Sequence, residues 1–282
     1  MIFLVGKAQF VKSHGLGNDY VVVDPRDLPF PLTREAVRSI CDRHYGVGSD
    51  GVLVVQPARD ADFAVRIFNP DGSDAEKSGN GIRIFAKYLR EHGYTTQDRF
   101  SIETAGGRVC VECVLRDGRV AEVTADMGRV SFDAVETIQI DGRPVQVTSL
   151  SIGNPHCVLI VNDLSKVDVH RLGPKVEAHP AFPAKTNVQF AEVLSRAHVA
   201  IEIWERGAGY TLASGTSSCA VAAACHRKGL VDREVTVTMP GGDLEVTVGD
   251  GYAMRLRGPV EEVMAGDFSP DLIRAIGRNI PD

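Results

Sequence analysis

Two short turns carry the residue types best suited to chemistry. Ser78-Gly79-Asn80-Gly81 and Ser214-Gly215-Thr216-Ser217 each place a hydroxyl directly before glycine, at the start of a helix-patterned run. Glycine lets a ligand approach bare backbone N–H groups, and a helix N-terminus adds the positive end of its macrodipole. Two such ends suit a carboxylate. In matched positions nearby stand Asn18, Asn69, Asn154, Asn187 and the adjacent pair Glu205-Arg206. An amide both donates and accepts, and Arg grips a carboxylate with two parallel bonds. The set fits a zwitterion, with ammonium to Glu205 and carboxylate to N–H groups and Arg206. Each residue also has a plain structural use: serine before a helix is an N-cap, and asparagine after glycine is a turn residue. His14 and His156 lie near Gly-Asn turns, where a structural and a site imidazole are equal expectations.

The structural uses lose ground because the punctuation occurs twice. A shift of 136 residues brings Gly17-Asn18 onto Gly153-Asn154, Gly51-Val52 onto Asn187-Val188, and Ile67-Phe68-Asn69 onto Ile203-Trp204-Glu205. The same shift brings Ser78-Gly79 onto Ser214-Gly215 and Gly93 onto Gly229. Beyond this the register slips by one, and Thr104-Ala105-Gly106-Gly107 pairs with Met239-Pro240-Gly241-Gly242. A period this long means two domains, not a solenoid. Each half reads as several short alternating strands, a Gly-rich turn opening a helix, a glycine stop and a hairpin-like strand pair. The helices are expected near Gly79–His92 and Thr216–Lys228. The second is apolar nearly all round, so it should lie inside its lobe. The expected fold is α+β: two pseudo-symmetric lobes from an internal duplication, each a mainly antiparallel sheet wrapped around a central helix. The lobes should span 1–130 and 131–264, with the tail 265–282 able to join the first and a linker near Met127–Asp141. A cleft between them is the expected place for a small ligand.

The chain of 282 residues is comfortable for two cores. With 44% hydrophobic and 24% charged residues it reads as globular, and a net charge of −6 without a long Lys or Arg run argues against a nucleic-acid surface. No apolar stretch approaches the roughly 20 residues needed to span a bilayer. The opening MIFLVGKAQFVKSHG lacks the marks of a signal peptide and reads as a first strand. Cys41, Cys110, Cys113, Cys157, Cys219 and Cys225 are scattered in apolar contexts, as reduced core thiols are, which suggests the cytoplasm. Cys110-Val-Glu-Cys113 has the form of a metal pair, but there is no second pair, and strand positions three apart face opposite sides. No metal is expected.

HGLGNDY, FNPDGSDAEKSGNGIRIFAKYL, SIGNPHCV, KTNVQF and IEIWERGAGYTLASGTSSCA resemble the successive signatures of diaminopimelate epimerases, in order from about Phe10 to about Val248. The resemblance implies the fold of that family and inversion of an amino-acid α-carbon without a cofactor. Two cysteines act in such enzymes, one removing the α-proton and the other returning a proton to the opposite face. By position the substrate contacts become Asn18, Asn69, Asn154, Asn187, Glu205 and Arg206, with Gly79-Asn80 and Gly215-Thr216 as the anion-binding helix starts. The reaction implied is conversion of LL- to meso-diaminopimelate, on the way to lysine and peptidoglycan precursors. A small amino-acid substrate is the partner, with no nucleic acid and no membrane, and a homodimer is allowed.

The sequence departs from that pattern at its chemical centre. Ser78 and Ser214 stand where the family has cysteine, Tyr210 where it usually has Glu, and Gly51 where some members carry Gln. A thiol ionises near 8.5 and can be pulled down several units at a helix start. A hydroxyl is a far weaker acid, and helix-end fields of about 0.3–2 kcal/mol do not close that gap. Three readings stay open: an epimerase in which His156 or Glu205 assists the serines, a one-base isomerase or lyase on a related amino acid, and a silent amino-acid-binding homologue.

Overall fold

The structure is a computed structural model that describes residues 9–278. The expected start of the first strand, at 1–8, and the last four residues of the expected tail lie outside the described residues. The chain divides into two compact units, with boundaries at Val123/Thr124 and Gly258/Pro259.

The first unit contains β1 (Gln9–Gly15), β2 (Asn18–Val23), α1 (Arg34–Cys41), β3 (Val52–Gln56), β4 (Phe63–Phe68), β5 (Asp74–Ala75), α2 (Gly79–Glu91), β6 (Arg99–Thr104) and β7 (Gly107–Arg116). The chain passes to the second unit within β8 (Arg119–Arg129). There it forms β9 (Ser131–Phe132), β10 (Thr137–Ile140), β11 (Arg143–Gln146), β12 (Thr148–Ser151), β13 (Pro155–Val161) and α3 (Val169–Glu177). β14 (Asn187–Ser195), β15 (His198–Glu205), β16 (Gly209–Thr211), α4 (Gly215–Arg227), β17 (Glu234–Met239) and β18 (Gly242–Val248) follow. It leaves within β19 (Ala253–Pro259) and ends, back in the first unit, with β20 (Glu261–Asp267) and α5 (Pro270–Arg278). The stretch expected as a linker, 127–141, therefore holds the end of β8 and all of β9 and β10.

The 136-residue repeat is written into the pairing. β2 runs parallel to β3 with Val21 opposite Val52, and β13 runs parallel to β14 with Cys157 opposite Val188. β3–β4 and β14–β15 are antiparallel, with Val52 opposite Phe68 and Val188 opposite Trp204. The one-residue slip then enters at the next parallel pair: Phe63 faces Ile102, whereas Val199 faces Val237. The hairpin ends follow the slip, with Thr104 opposite Gly107 and Met239 opposite Gly242. Each unit is thus a mainly antiparallel sheet carrying two parallel pairs of the same kind.

The central helix of each unit is α2 or α4, and the repeat carries Gly79–Glu91 onto Gly215–Arg227. Ile82, Ile84, Phe85, Ala86 and Leu89 are buried on α2, and the run Cys219–Cys225 is buried on α4. The unbroken apolar surface of α4 is met by β12, β13, β14, β15, β17 and β18. α2 differs in burying two cations. Lys87 reaches Glu91 and the Val120 carbonyl, and Arg83 donates to the Gly79 carbonyl at 3.2 Å. A second apolar layer covers other strand residues in each unit: Ala36, Val37 and Ile40 of α1 and Ile276 of α5 in the first, Val169 and Val176 of α3 in the second. Among the described residues no helix is long and apolar enough to cross a membrane.

Gly173 sets the closeness of α3 to β15. A Cβ there would lie 2.5 Å from Cγ of Trp204. Gly277 of α5 is the natural control, since a Cβ at that position meets nothing within 4 Å. Gly173→Ala should destabilise the protein by about 1–3 kcal/mol through overpacking. Gly277→Ala should be neutral or stabilising by up to about 1 kcal/mol, because alanine favours the helix. Urea denaturation of the two variants checks both; equal midpoints would show that Trp204 relaxes freely.

Candidate active site

Each serine of interest caps its central helix. Ser78 has extended backbone angles, and its Oγ accepts the Gly81 N–H at 3.0 Å. Ser214 has the same geometry, and its Oγ accepts the Ser217 N–H at 3.5 Å. Local sequence explains this: serine's short side chain satisfies an N–H that has no carbonyl partner within the helix. The next groups, Gly79-Asn80 and Gly215-Thr216, occupy the first turn, where the helix dipole favours an anion. The Ser78 oxygen has a second donor, the phenol of Tyr20 at 3.2 Å. The Ser214 oxygen lies 3.5 Å from the Thr216 hydroxyl. Its backbone N–H and the Ser218 hydroxyl both donate to the Met239 sulfur at 3.4 Å.

In the first unit the Gly17-Asn18 turn is held by charge. Asn18 donates to Asp50 at 3.0 Å and accepts from Asn80 at 3.1 Å, so it is tied directly to the helix start. Arg43 bridges Asp50 and Asp19, and Lys12 pairs with Asp19 at 2.9 Å. Burial disfavours the ionised form of Asp19, but the bonds from Arg43 and Lys12 outweigh it and hold the carboxyl below its usual range. Asn69 bonds within its own turn, donating to Ser73 Oγ at 3.0 Å. His14 accepts the Gly17 N–H through Nδ1 at a long 3.5 Å, which makes it a turn residue.

In the second unit the equivalent turn is held by neutral, buried groups. His156, the repeat partner of Tyr20, is completely buried. Its Nε2 meets Asn154 Oδ1 at 3.0 Å and its Nδ1 meets Gln189 Nε2 at 3.1 Å. Gln189 passes on to the Ser217 hydroxyl at 3.0 Å, within the first turn of α4. Burial pushes His156 down to about 3, opposed by the hydrogen bond with Gln189 and aided by a smaller repulsion from Arg206. The ring is therefore neutral, and both nitrogens are engaged. In this arrangement it orients Asn154 and reaches no serine hydroxyl directly, so its place is that of a support, not a base.

Asn187 is likewise committed to the backbone, donating to the Pro155 carbonyl at 2.8 Å and accepting the Arg206 N–H at 3.0 Å. It shapes the Glu205-Arg206 turn. Glu177 of α3 completes that turn by accepting from Trp204 Nε1 at 2.8 Å and the Gly207 N–H at 3.1 Å. The Arg206 guanidinium is exposed and donates to the Ala184 carbonyl at 3.3 Å. Tyr210, one of the departures from the resembled pattern, sits opposite Trp204 on β15–β16 and donates to Glu202 at 2.8 Å. Cys110 is exposed and Cys113 buried on β7, so the pair does not converge; burial pushes the Cys113 thiol up to about 12.

Tyr20, Asp50, Gln189, Ser217 and Glu177 were not among the expected site residues. The repeat register held a clue for two of them, since it aligns Tyr20 with His156 and Gly81 with Ser217. Nothing local marks Asp50 or Glu177.

The duplicated α+β architecture is shared with solved racemases and epimerases. A hydroxyproline epimerase from Agrobacterium vitis superposes with a TM-score of 0.74 at 19% identity, over 96% of this chain and 94% of that one. A phenazine biosynthesis protein of the PhzF family from Bacillus anthracis superposes at 0.72 and 17% identity, over 93% and 99%. Both likenesses concern the fold. The family model for diaminopimelate epimerase matches residues 10–132 and 148–266. "Diaminopimelate epimerase 2" of Nostoc sp. is 47% identical, over 94% of this chain and 96% of the relative. The diaminopimelate epimerase of Pelotomaculum thermopropionicum is 41% identical, over 92% and 98%. The chain belongs to the diaminopimelate epimerase family and is an isomerase of the amino-acid epimerase class.

The buried imidazole makes a stability prediction. His156 has a folded-state pKa below its ordinary value of about 6.5, so the unfolded chain binds the extra proton. Its contribution is complete above about pH 6.5 and is lost as pH falls toward 3. The slope from this group is up to about 1.4 kcal/mol per pH unit in that window. Urea titrations at several pH values should show a shallower loss for His156→Gln than for the wild type; parallel curves would mean that the imidazole is reached by water.

Proposed function

We propose that the protein inverts an α-carbon of diaminopimelate without a bound cofactor, interconverting the LL and meso forms in the cytoplasm. The observation that carries this reading is the pair of serine-capped helix starts, one per unit, at the same register of the duplication; the resemblance puts the family's two cysteines at these positions. Helix-start N–H groups would take the substrate carboxylate, and Arg206 and Glu205 would take carboxylate and ammonium respectively. One hydroxyl side receives the α-proton as the C–H electron pair stays on carbon, and the other side returns a proton to the opposite face. His156 then serves as the support for Asn154 described above. The free state of all six thiols agrees with a reducing compartment.

One observation favours a second reading, in which a single face is chemically competent. Ser78 Oγ has two donors, at 3.0 and 3.2 Å, whereas both partners of Ser214 Oγ are at 3.5 Å. Unequal hydroxyls suit one-base isomerisation of a related amino acid as well as two-base epimerisation.

The test is NMR of LL- and meso-diaminopimelate in D2O with the purified protein, following loss of the α-proton. The wild type should exchange it. Ser78→Cys and Ser214→Cys together should raise exchange from both stereoisomers by about tenfold or more, because a thiol at a helix start is partly ionised near neutral pH. Each single change should accelerate exchange from one stereoisomer only. Arg206→Ala should weaken substrate binding by roughly 10–100-fold, the equivalent of about 1.5–3 kcal/mol for a charge-assisted bond. Absence of exchange by wild type and cysteine variants alike would sink the diaminopimelate reading.

A further inference from the structure

The first unit contains a contact that the second lacks. Tyr20 projects from β2 with its ring against Gly51, where a Cβ would lie 2.7 Å from Tyr20 Cε1 and 2.4 Å from the Phe68 carbonyl. Only glycine leaves room for the ring there. The buried phenol then reaches Ser78 Oγ and donates to it at 3.2 Å. With the Gly81 N–H also donating to that oxygen, both acceptor sites are used, and the serine's own hydrogen is directed elsewhere. In the second unit the repeat partners of Tyr20 and Gly51 are His156 and Asn187, and each is bonded to other groups. Ser214 Oγ has the Thr216 hydroxyl and the Ser217 N–H as its partners, neither of which titrates near neutral pH.

We propose that Tyr20 is a positioning residue for Ser78, and that the two form a relay in which the phenol supplies the acidity a lone hydroxyl lacks. The inference rests on the epimerase reading above. A phenol ionises near 10, several units below an aliphatic alcohol. In one direction the α C–H bond breaks and its proton passes to Ser78 Oγ. This direction starts with Tyr20 ionised: the phenolate accepts instead of donating, which frees one lone pair of Ser78 Oγ. The Ser78 hydroxyl proton moves to the phenolate, and the C–H electron pair remains on the α-carbon. In the other direction Ser78 gives its proton to the carbanion while the Tyr20 phenol replaces it. Ser78 begins and ends as a neutral hydroxyl, and no alkoxide accumulates. Gly51 belongs to the same device, because it alone admits the ring.

Two measurements test the relay. The first does not need turnover. In a Ser78→Cys protein, the rate of iodoacetamide alkylation at position 78 is followed against pH by peptide mass spectrometry, which separates it from the exposed Cys110. Adding Tyr20→Phe, which keeps the ring and deletes the hydroxyl, should raise the thiol pKa by about one unit, since a hydrogen bond to the thiolate is lost. An unchanged thiol pKa overturns the proposal. The second uses α-proton exchange. Tyr20→Phe should lower exchange from one stereoisomer by at least about a hundredfold, with KM little changed. Ser78→Cys should restore it even in the Tyr20→Phe protein, because a thiol needs no relay. Exchange by Tyr20→Phe equal to that of the wild type also overturns the proposal. If no protein exchanges any substrate, the epimerase reading fails, and the alkylation experiment still decides whether the phenol acts on position 78.

Discussion

A helix that starts inside a protein must find partners for N–H groups that have no carbonyl within the helix. That constraint governs both halves of this molecule. The central helices α2 and α4 are buried from their first residue, so Ser78 and Ser214 cap them with side-chain oxygens. The cap fixes where each oxygen lies and makes it an acceptor of backbone hydrogen bonds. It also leaves the first-turn glycines bare, which suits a close anionic ligand. The structural requirement and the proposed chemistry therefore fall on the same two residues. A hydroxyl at these positions suits the cap, since serine is a preferred N-cap residue, and is a far weaker acid than a thiol.

The duplication repeats the backbone more faithfully than its support. Around Gly17-Asn18 the chain uses Asp50, Asp19, Arg43 and Lys12, a partly exposed network of opposite charges. Around Gly153-Asn154 it uses His156, Gln189 and Ser217, a neutral chain sealed from water. Partly exposed ion pairs are adaptable and individually weak, whereas a buried neutral network is costly to break. The same asymmetry reaches the serines, since only Ser78 has a phenol on its oxygen. Two turns related by sequence thus become chemically unequal through the residues packed behind them.

Family membership and chemical competence rest on different parts of this chain. The strand pairings, the glycine turns and the helix starts are those of the family fold, and they depend on apolar packing and backbone geometry. Proton transfer depends on a few atoms at those starts. A fold can carry the first without dictating the second. The phenol beside Ser78 and the glycine that admits it show how the surroundings of one hydroxyl can change while the scaffold stays the same.

Much of this was legible in the sequence, where local rules operate. Cap chemistry and glycine stops placed α2 and α4 to within a residue at each end: Gly79–Glu91 against the expected Gly79–His92, and Gly215–Arg227 against Thr216–Lys228. The repeat and its one-residue slip reappear as strand register, because register is a consequence of where glycine turns and apolar alternation fall. The serines at the helix starts were visible for the same reason. What only tertiary structure decided are contacts between residues far apart in the chain. Tyr20 meets Ser78, Gln189 meets His156, and Asn187 accepts from the Arg206 turn, each pairing set by how sheet and helix pack. Burial then settles chemistry that residue type leaves open: the imidazole of His156 could have been a base in water, but enclosed and bonded at both nitrogens it is a neutral brace.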